Sequence, residues 1–256
     1  MTVPAGPDAA RQAPPTLLAV AHGTRDAEGV AVTEALVAGV RALRPGLRVE
    51  RCFLDLVAPS LPEALAGLNG EVVLVPLLLG AGYHVRADIP GALAAAPHLR
   101  VRVARVLGPD PLLAEALADR LADAGWRAGD GPVVLAAAGS TDPGANAGTA
   151  AMASLLREHL PGGDGVVPAH LCAAGPTPAE AVSALRSEGH ARVAVAEYLL
   201  SPGFFARSAA RSGACLTSAP LGTHDALARL VMRRYDEARG AGRQPRGLLT
   251  RSGRIT

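Results

Sequence analysis

Leu17-Leu18-Ala19-Val20-Ala21-His22-Gly23-Thr24-Arg25-Asp26 is written a second time in this chain, as Val133-Val134-Leu135-Ala136-Ala137-Ala138-Gly139-Ser140-Thr141-Asp142. Each copy is an unbroken apolar run followed by a glycine, small or polar residues and an aspartate. A run of this kind is a buried strand feeding a helix. A second block repeats in step with the first: Leu78-Leu79-Gly80-Ala81-Gly82-Tyr83-His84-Val85-Arg86 returns as Leu199-Leu200-Ser201-Pro202-Gly203-Phe204-Phe205-Ala206-Arg207. The chain is a tandem duplication of one pattern. His22 faces Ala138 and His84 faces Phe205, so the first copy carries polar chemistry that the second has lost.

Working outward, short apolar runs alternate with amphipathic stretches. The first half has strand candidates at 16–21, 47–54, 71–79 and 100–106, with helices at 28–42, 61–68, 89–95 and 111–124. The second has strands at 132–137, 166–171, 192–199 and 214–217, with helices at 145–159, 178–187, 206–211 and 225–238. Near-continuous apolar strands alternating with helices call for parallel sheets covered on both faces. The expected fold class is α/β: two tandem domains, each a four-stranded parallel sheet flanked by helices, related by a pseudo-two-fold. Residues 16–127 form the N-terminal domain with the active site, and 130–239 the domain whose site has degenerated. The joint falls in the Gly-, Asp- and Pro-rich stretch at 125–131. Residues 1–15 are expected to be a disordered leader and 240–256 a disordered basic tail.

A chain of 256 residues, 49% apolar and 19% charged, is a globular protein. Its formal charge of +2 lacks the basic excess of a nucleic-acid binder. No apolar run approaches the roughly 20 residues of a membrane span, and the N-terminus has no secretory pattern. Cys52, Cys172 and Cys215 form neither a disulfide framework nor a Cys-x-x-Cys site. These features set the expectation of a cytoplasmic protein without nucleic-acid or membrane partners.

In an open α/β sheet, ligands bind outside the carboxyl ends of the strands. His22, Asp55 and His84 each stand at such an end in the first half. Two imidazoles and a carboxylate suit a divalent first-row metal, and the same groups can take up protons near neutral pH. Gly23, Gly80 and Gly82 let the backbone approach a flat ligand, and Arg25 suits an acidic one. Asp55 has an equal claim as a cap for the following helix. His98, His159, His170, His190 and His224 show no such convergence. There is no Walker loop, dinucleotide fingerprint or Gly-x-Ser-x-Gly elbow.

Three blocks, Ala21-His22-Gly23-Thr24-Arg25, Phe53-Leu54-Asp55-Leu56 with Pro59-Ser60, and Val75-Pro76-Leu77-Leu78-Leu79-Gly80-Ala81-Gly82-Tyr83-His84-Val85-Arg86-Ala87-Asp88-Ile89-Pro90, strongly resemble the class II chelatases. Within that group the match is to sirohydrochlorin chelatases of the CbiX/SirB type, in their long duplicated form. The resemblance covers about 17–235. It implies a lyase that inserts a divalent metal into the reduced tetrapyrrole sirohydrochlorin without ATP. Fe2+, giving sirohaem, is favoured; Co2+, leading toward cobalamin, is the other candidate. Carried over residue by residue, His22 and His84 are the catalytic pair, and His22, Asp55 and His84 the metal contacts. Asp55 stands where the family commonly has Glu. Gly23, Arg25, Gly82, Tyr83, Arg86 and Arg207 are the expected substrate contacts. The metal is then a substrate, no cofactor stays bound, and the chain is expected to be a monomer with two pseudo-symmetric domains. The alternative is a tetrapyrrole or metal carrier that binds without turnover; a flavodoxin-like binding domain is a third reading.

Overall fold

A computed structural model of the chain describes residues 13–162 and 165–241, with Tyr83 and His84 described by their backbone alone. The first half runs β1 (Thr16–Ala21), α1 (Ala27–Leu43), β2 (Val49–Phe53), α2 (Leu61–Ala66), β3 (Gly70–Leu77), α3 (Tyr83–Arg86), α4 (Asp88–Ala94), β4 (Leu99–Val103) and α5 (Pro111–Asp123). The second repeats it as β5 (Val133–Ala137), α6 (Pro143–His159), β6 (Val166–His170), α7 (Pro178–Ser187), β7 (Ala194–Tyr198), α8 (Phe204–Ala209), β8 (Leu216–Thr217) and α9 (Asp225–Gly240). Caps explain where the helices start. Asp26, Asp110 and Asp142 each accept a backbone N–H from the first turn, and Ser60 and Thr177 form reciprocal capping boxes with Glu63 and Glu180.

Both sheets are parallel, in the orders β2-β1-β3-β4 and β6-β5-β7-β8. Register places Val20 between Cys52 and Pro76, and its repeat partner Ala136 between Ala169 and Glu197. The fold is therefore the expected α/β duplication. Most element bounds shift by one to three residues from the sequence expectation, the strands being mostly shorter. Helix α3 is an added turn; β4 stops at Val103; β8 has two residues; and α9 continues to Gly240. The expectations for the leader and the tail fall, over 1–12 and 242–256, outside the described residues.

The layers run α/β/α/β/α. Leu18, Val20, Val72 and Leu74 mark the outer face of the first sheet, packed with Leu61 and Leu65 of α2 and Ile89 of α4. The second sheet's outer face packs Val134 and Val195 against Ala181 and Val182 of α7 and Ala209 of α8. Between the sheets lies one continuous core built from α1, α5, α6 and α9. Within it the last helices are exchanged. Helix α9 packs on α1 and β3 of the first half, and α5 packs on α6 and β7 of the second. Among the described residues no helix is long and apolar enough to cross a membrane.

Candidate functional site

In each half the chain leaves the first and third strands for opposite sides of the sheet, so a crevice opens at their carboxyl ends. His22 and Gly23 leave β1 at this point, and Gly80 to Gly82 leave β3. The second half sets Ala138 and Gly139 after β5 and Ser201 to Phe205 after β7. The two crevices face each other and merge into one cleft of about 510 Å³, lined by residues of both halves. That is the size of a small-molecule site. Its walls are mainly apolar, with Leu36, Phe53, Leu77 and Leu79 on one side and Ala137, Leu199, Leu200 and Phe205 on the other. The polar lining is His22, Thr24 and Thr33 from the first half, and Ser140, Asn146, Thr149, Cys172, Tyr198 and Ser201 from the second.

Gly23 explains how His22 is held. It has φ +99°, and an added Cβ would stand 1.9 Å from the Asp55 carbonyl oxygen. Only glycine allows the loop to lie this close, and the Asp55 N–H donates to the His22 carbonyl at 3.0 Å. The repeat does the same with Gly139, φ +89°, against the Cys172 carbonyl. His22 is exposed at the mouth of the cleft.

The other expected site residues divide. Gly82 lines the cleft, and the backbones of Tyr83 and His84 open α3 directly after it. The side chains of Tyr83 and His84 lie outside what the structure describes. The carboxylate of Asp55 is exposed, accepts the Leu56 N–H at 2.8 Å and is absent from the cleft lining. Arg25 is exposed on the loop and, among the described residues, forms no ion pair. Arg86 and Arg207 pair with carboxylates of the opposite half, Arg86 with Asp142 at 2.7 Å and Arg207 with Asp26 at 2.8 Å. Among the described residues no three His, Cys, Asp or Glu side chains converge on a point.

Ser201 and Phe205 line the cleft as the repeat of the 78–86 block leads one to expect, whereas sequence reasoning missed Ser140, Asn146, Thr149 and Cys172. Ser140 and Asn146 hold each other, the Ser140 N–H donating to Asn146 Oδ1 at 3.1 Å and Asn146 Nδ2 to the Ser140 carbonyl at 2.8 Å. Ser140 repeats Thr24 and Cys172 repeats Asp55, so the duplication itself was the available signal.

A family model described as CbiX matches residues 16–124 and, again, residues 132–238. Over 77 residues the chain is 36% identical to the sirohydrochlorin cobaltochelatase of Sulfurisphaera tokodaii, covering 28% of this chain and 64% of that protein. The chain thus spans just under two thirds of that relative's length. Over 123 residues it is 26% identical to the sirohydrochlorin cobaltochelatase of Methanosarcina acetivorans, covering 42% of this chain and 95% of the relative. Among solved structures it is similar to SirB from Bacillus subtilis with Fe3+, at TM-score 0.77 and 25% identity over 90% of this chain and 98% of that one. The fold is shared with SirB from Bacillus subtilis subspecies spizizenii in complex with cobalt, at TM-score 0.75 and 24% identity over the same shares. With the family pattern met once in each half, on two sheets of one strand order that close around a common cleft, the chain belongs to the CbiX family.

Proposed function

We propose that this chain is a metal chelatase, a lyase that inserts Fe2+ or Co2+ into sirohydrochlorin without ATP. The observation that carries the reading is an apolar cleft between the halves with His22 at its mouth, beside the segment that leads from Gly82 to His84. Metallation exchanges two pyrrole N–H protons for one divalent cation. It needs a wall that shapes the macrocycle, a group that delivers the metal, and a base. The walls supply an apolar surface, and Phe205 of the second half, the repeat of His84, is part of it. His22 supplies a base and a metal donor within the cleft. His84 is assigned the same two tasks on the strength of its position in the sequence.

The substrate's carboxylates need cations. Arg25 is exposed and unpaired among the described residues, and Arg86 and Arg207 follow segments that line the cleft, though none of the three lines it. Asp55 is assigned a supporting role, since its carboxylate serves its own loop.

The test is anaerobic turnover of sirohydrochlorin with Fe2+, Co2+ and Ni2+ side by side, followed by its visible spectrum. Replacement of His22 by alanine is expected to lower kcat about 100-fold or more, the loss typical of a removed general base. His159→Ala, an exposed change at the far end of α6, is expected to leave it unchanged. Equal rates in wild type and His22→Ala would remove the assignment, and binding without metallated product would make the chain a carrier.

A further inference from the structure

Asp26 and Asp142 occupy the same place in the two copies and divide their oxygens in the same way. One oxygen caps the aspartate's own helix. Asp26 Oδ1 accepts the Glu28 N–H at 3.2 Å, and Asp142 Oδ1 the Gly144 N–H at 2.8 Å. The other oxygen serves the opposite half, where Asp142 Oδ2 meets Arg86 and Asp26 Oδ2 meets Arg207. Arg86 and Arg207 are themselves repeat partners, at the ends of the loops that leave β3 and β7. Two equivalent ion pairs therefore join the halves; they stand outside the cleft lining but next to it in the chain, since Thr24, Gly82, Ser140 and Phe205 line the cleft. The histidines diverged between the copies, whereas all four of these charges persisted.

The two halves also touch directly. A Cβ on Gly29 of α1 would stand 3.1 Å from the Pro202 carbonyl, and one on Gly80 would stand 3.8 Å from Ala145 of α6. The arginine side chains are 62% and 60% exposed, and the aspartates only 20% and 24%. The carboxylates are fixed by their caps, while the guanidiniums reach them through solvent. Ion pairs this exposed are weak, so the arginines can leave them readily.

We infer that the two pairs are an exchangeable latch on the cleft. They hold its edges together in the empty chain. Each arginine passes to a carboxylate of an entering polyanionic macrocycle, and Asp26 and Asp142 draw the arginines back as product leaves. This rests on the proposed reading of a polycarboxylate substrate. One-for-one exchange leaves the number of ion pairs constant, so substrate affinity should depend only shallowly on salt.

The experiment uses the full chain with Asp26→Asn and Asp142→Asn together. Asparagine caps a helix about as well as aspartate, so the fold is expected to hold, with circular dichroism and thermal melting as the check. Two readouts follow. Metal-free sirohydrochlorin is titrated at several salt concentrations. Separately, without ligand, a thiol placed at the buried cleft-lining position 149 is labelled with a bulky maleimide in a Thr149→Cys, Cys172→Ser, Cys215→Ser background, Cys172 and Cys215 being exposed and Cys52 buried.

Release of the latch should tighten binding by about two- to ten-fold at low salt, steepen its salt dependence and speed labelling at position 149. Affinity, salt slope and labelling rate all matching the wild type would overturn it. If the wild type binds no sirohydrochlorin, the functional reading fails, and the labelling rate alone then decides the latch: faster supports it, unchanged overturns it.

Discussion

Glu197 lies on the strand face that carries Val193 and Val195, in a cluster otherwise made of apolar residues, and it is 3% exposed. Its backbone N–H donates to Ser218 Oγ at 3.1 Å, but its Oε2 has no partner among the described residues. Burial pushes the carboxyl up to about 7 from an ordinary 4.5. The folded chain thus holds this proton more tightly than the unfolded chain does. The stability tied to that proton is fully present below about pH 4.5 and is lost as pH rises through about 7. Glu197→Gln cannot ionise, and it is expected to be more stable than wild type by up to about 3 kcal/mol at pH 8 and nearly equal at pH 4.5. Urea denaturation at the two pH values checks this; a constant difference would show that ionisation is not the cause. Nothing in the sequence warns of it, because a single acid in an apolar run does not reveal which face it takes until the register is known. Gly23 is the contrary case: its recurrence as Gly139 in the repeat marked it, and the close carbonyl contact shows why.

Elements were legible wherever local chemistry punctuates them. Asp110-Pro111 starts α5 and Thr177-Pro178 with Glu180 starts α7, each at the expected residue, whereas the Asp142 cap starts α6 at Pro143, two residues before the expected 145. Helix α3 was not legible: four residues behind a glycine-rich loop are too few to display a helical period. The edge strand β8 has two residues, Leu216 and Thr217, paired with Ala194 and Val195 of β7. The capping box of α7 gives a test at this scale. The Thr177 hydroxyl accepts the Glu180 N–H at 3.3 Å, and the Glu180 carboxylate accepts the Thr177 N–H at 2.8 Å. Thr177→Ala is expected to cost about 1 kcal/mol in chemical denaturation, and Thr177→Asn to recover most of it. A loss of the same size in Thr177→Asn would show that the cap hydrogen bond is not its source, and no loss in Thr177→Ala would show that the cap contributes nothing.

The whole molecule holds what periodicity could not convey, namely whose sheet a helix covers. The amphipathic patterns of α5 and α9 announce a buried face but are silent on its partner, and the structure sends each to the opposite half. The exchange of α9 is anchored by Arg234, a fully buried guanidinium. Its Nε donates to the Val106 carbonyl at 2.9 Å, and its Nη2 to the Leu107 carbonyl at 2.7 Å and to Asp110 Oδ2 at 2.9 Å. A buried cation is tolerated only when its donors are met in this way. Arg44 adds a paired contact to Asp236 at 2.8 and 2.7 Å. In the other direction, Asp119 of α5 meets His224 at the start of α9 at 3.0 Å, and Tyr198 of the second half donates to the Leu79 carbonyl at 3.3 Å. Neither sequence half can bury its inner sheet face with its own helices alone. Fragments 1–127 and 128–256, made separately, are therefore expected to bind an apolar dye and to associate with themselves by trading α5 or α9 between copies. Mixed one to one, they should give a heterodimer with a single cooperative unfolding transition. Sedimentation and denaturation of the fragments apart and together make the check. A monomeric, cooperatively folded half would show that the exchanged helices decorate the halves rather than complete them, and the cleft would then owe its shape to contacts at its rim alone.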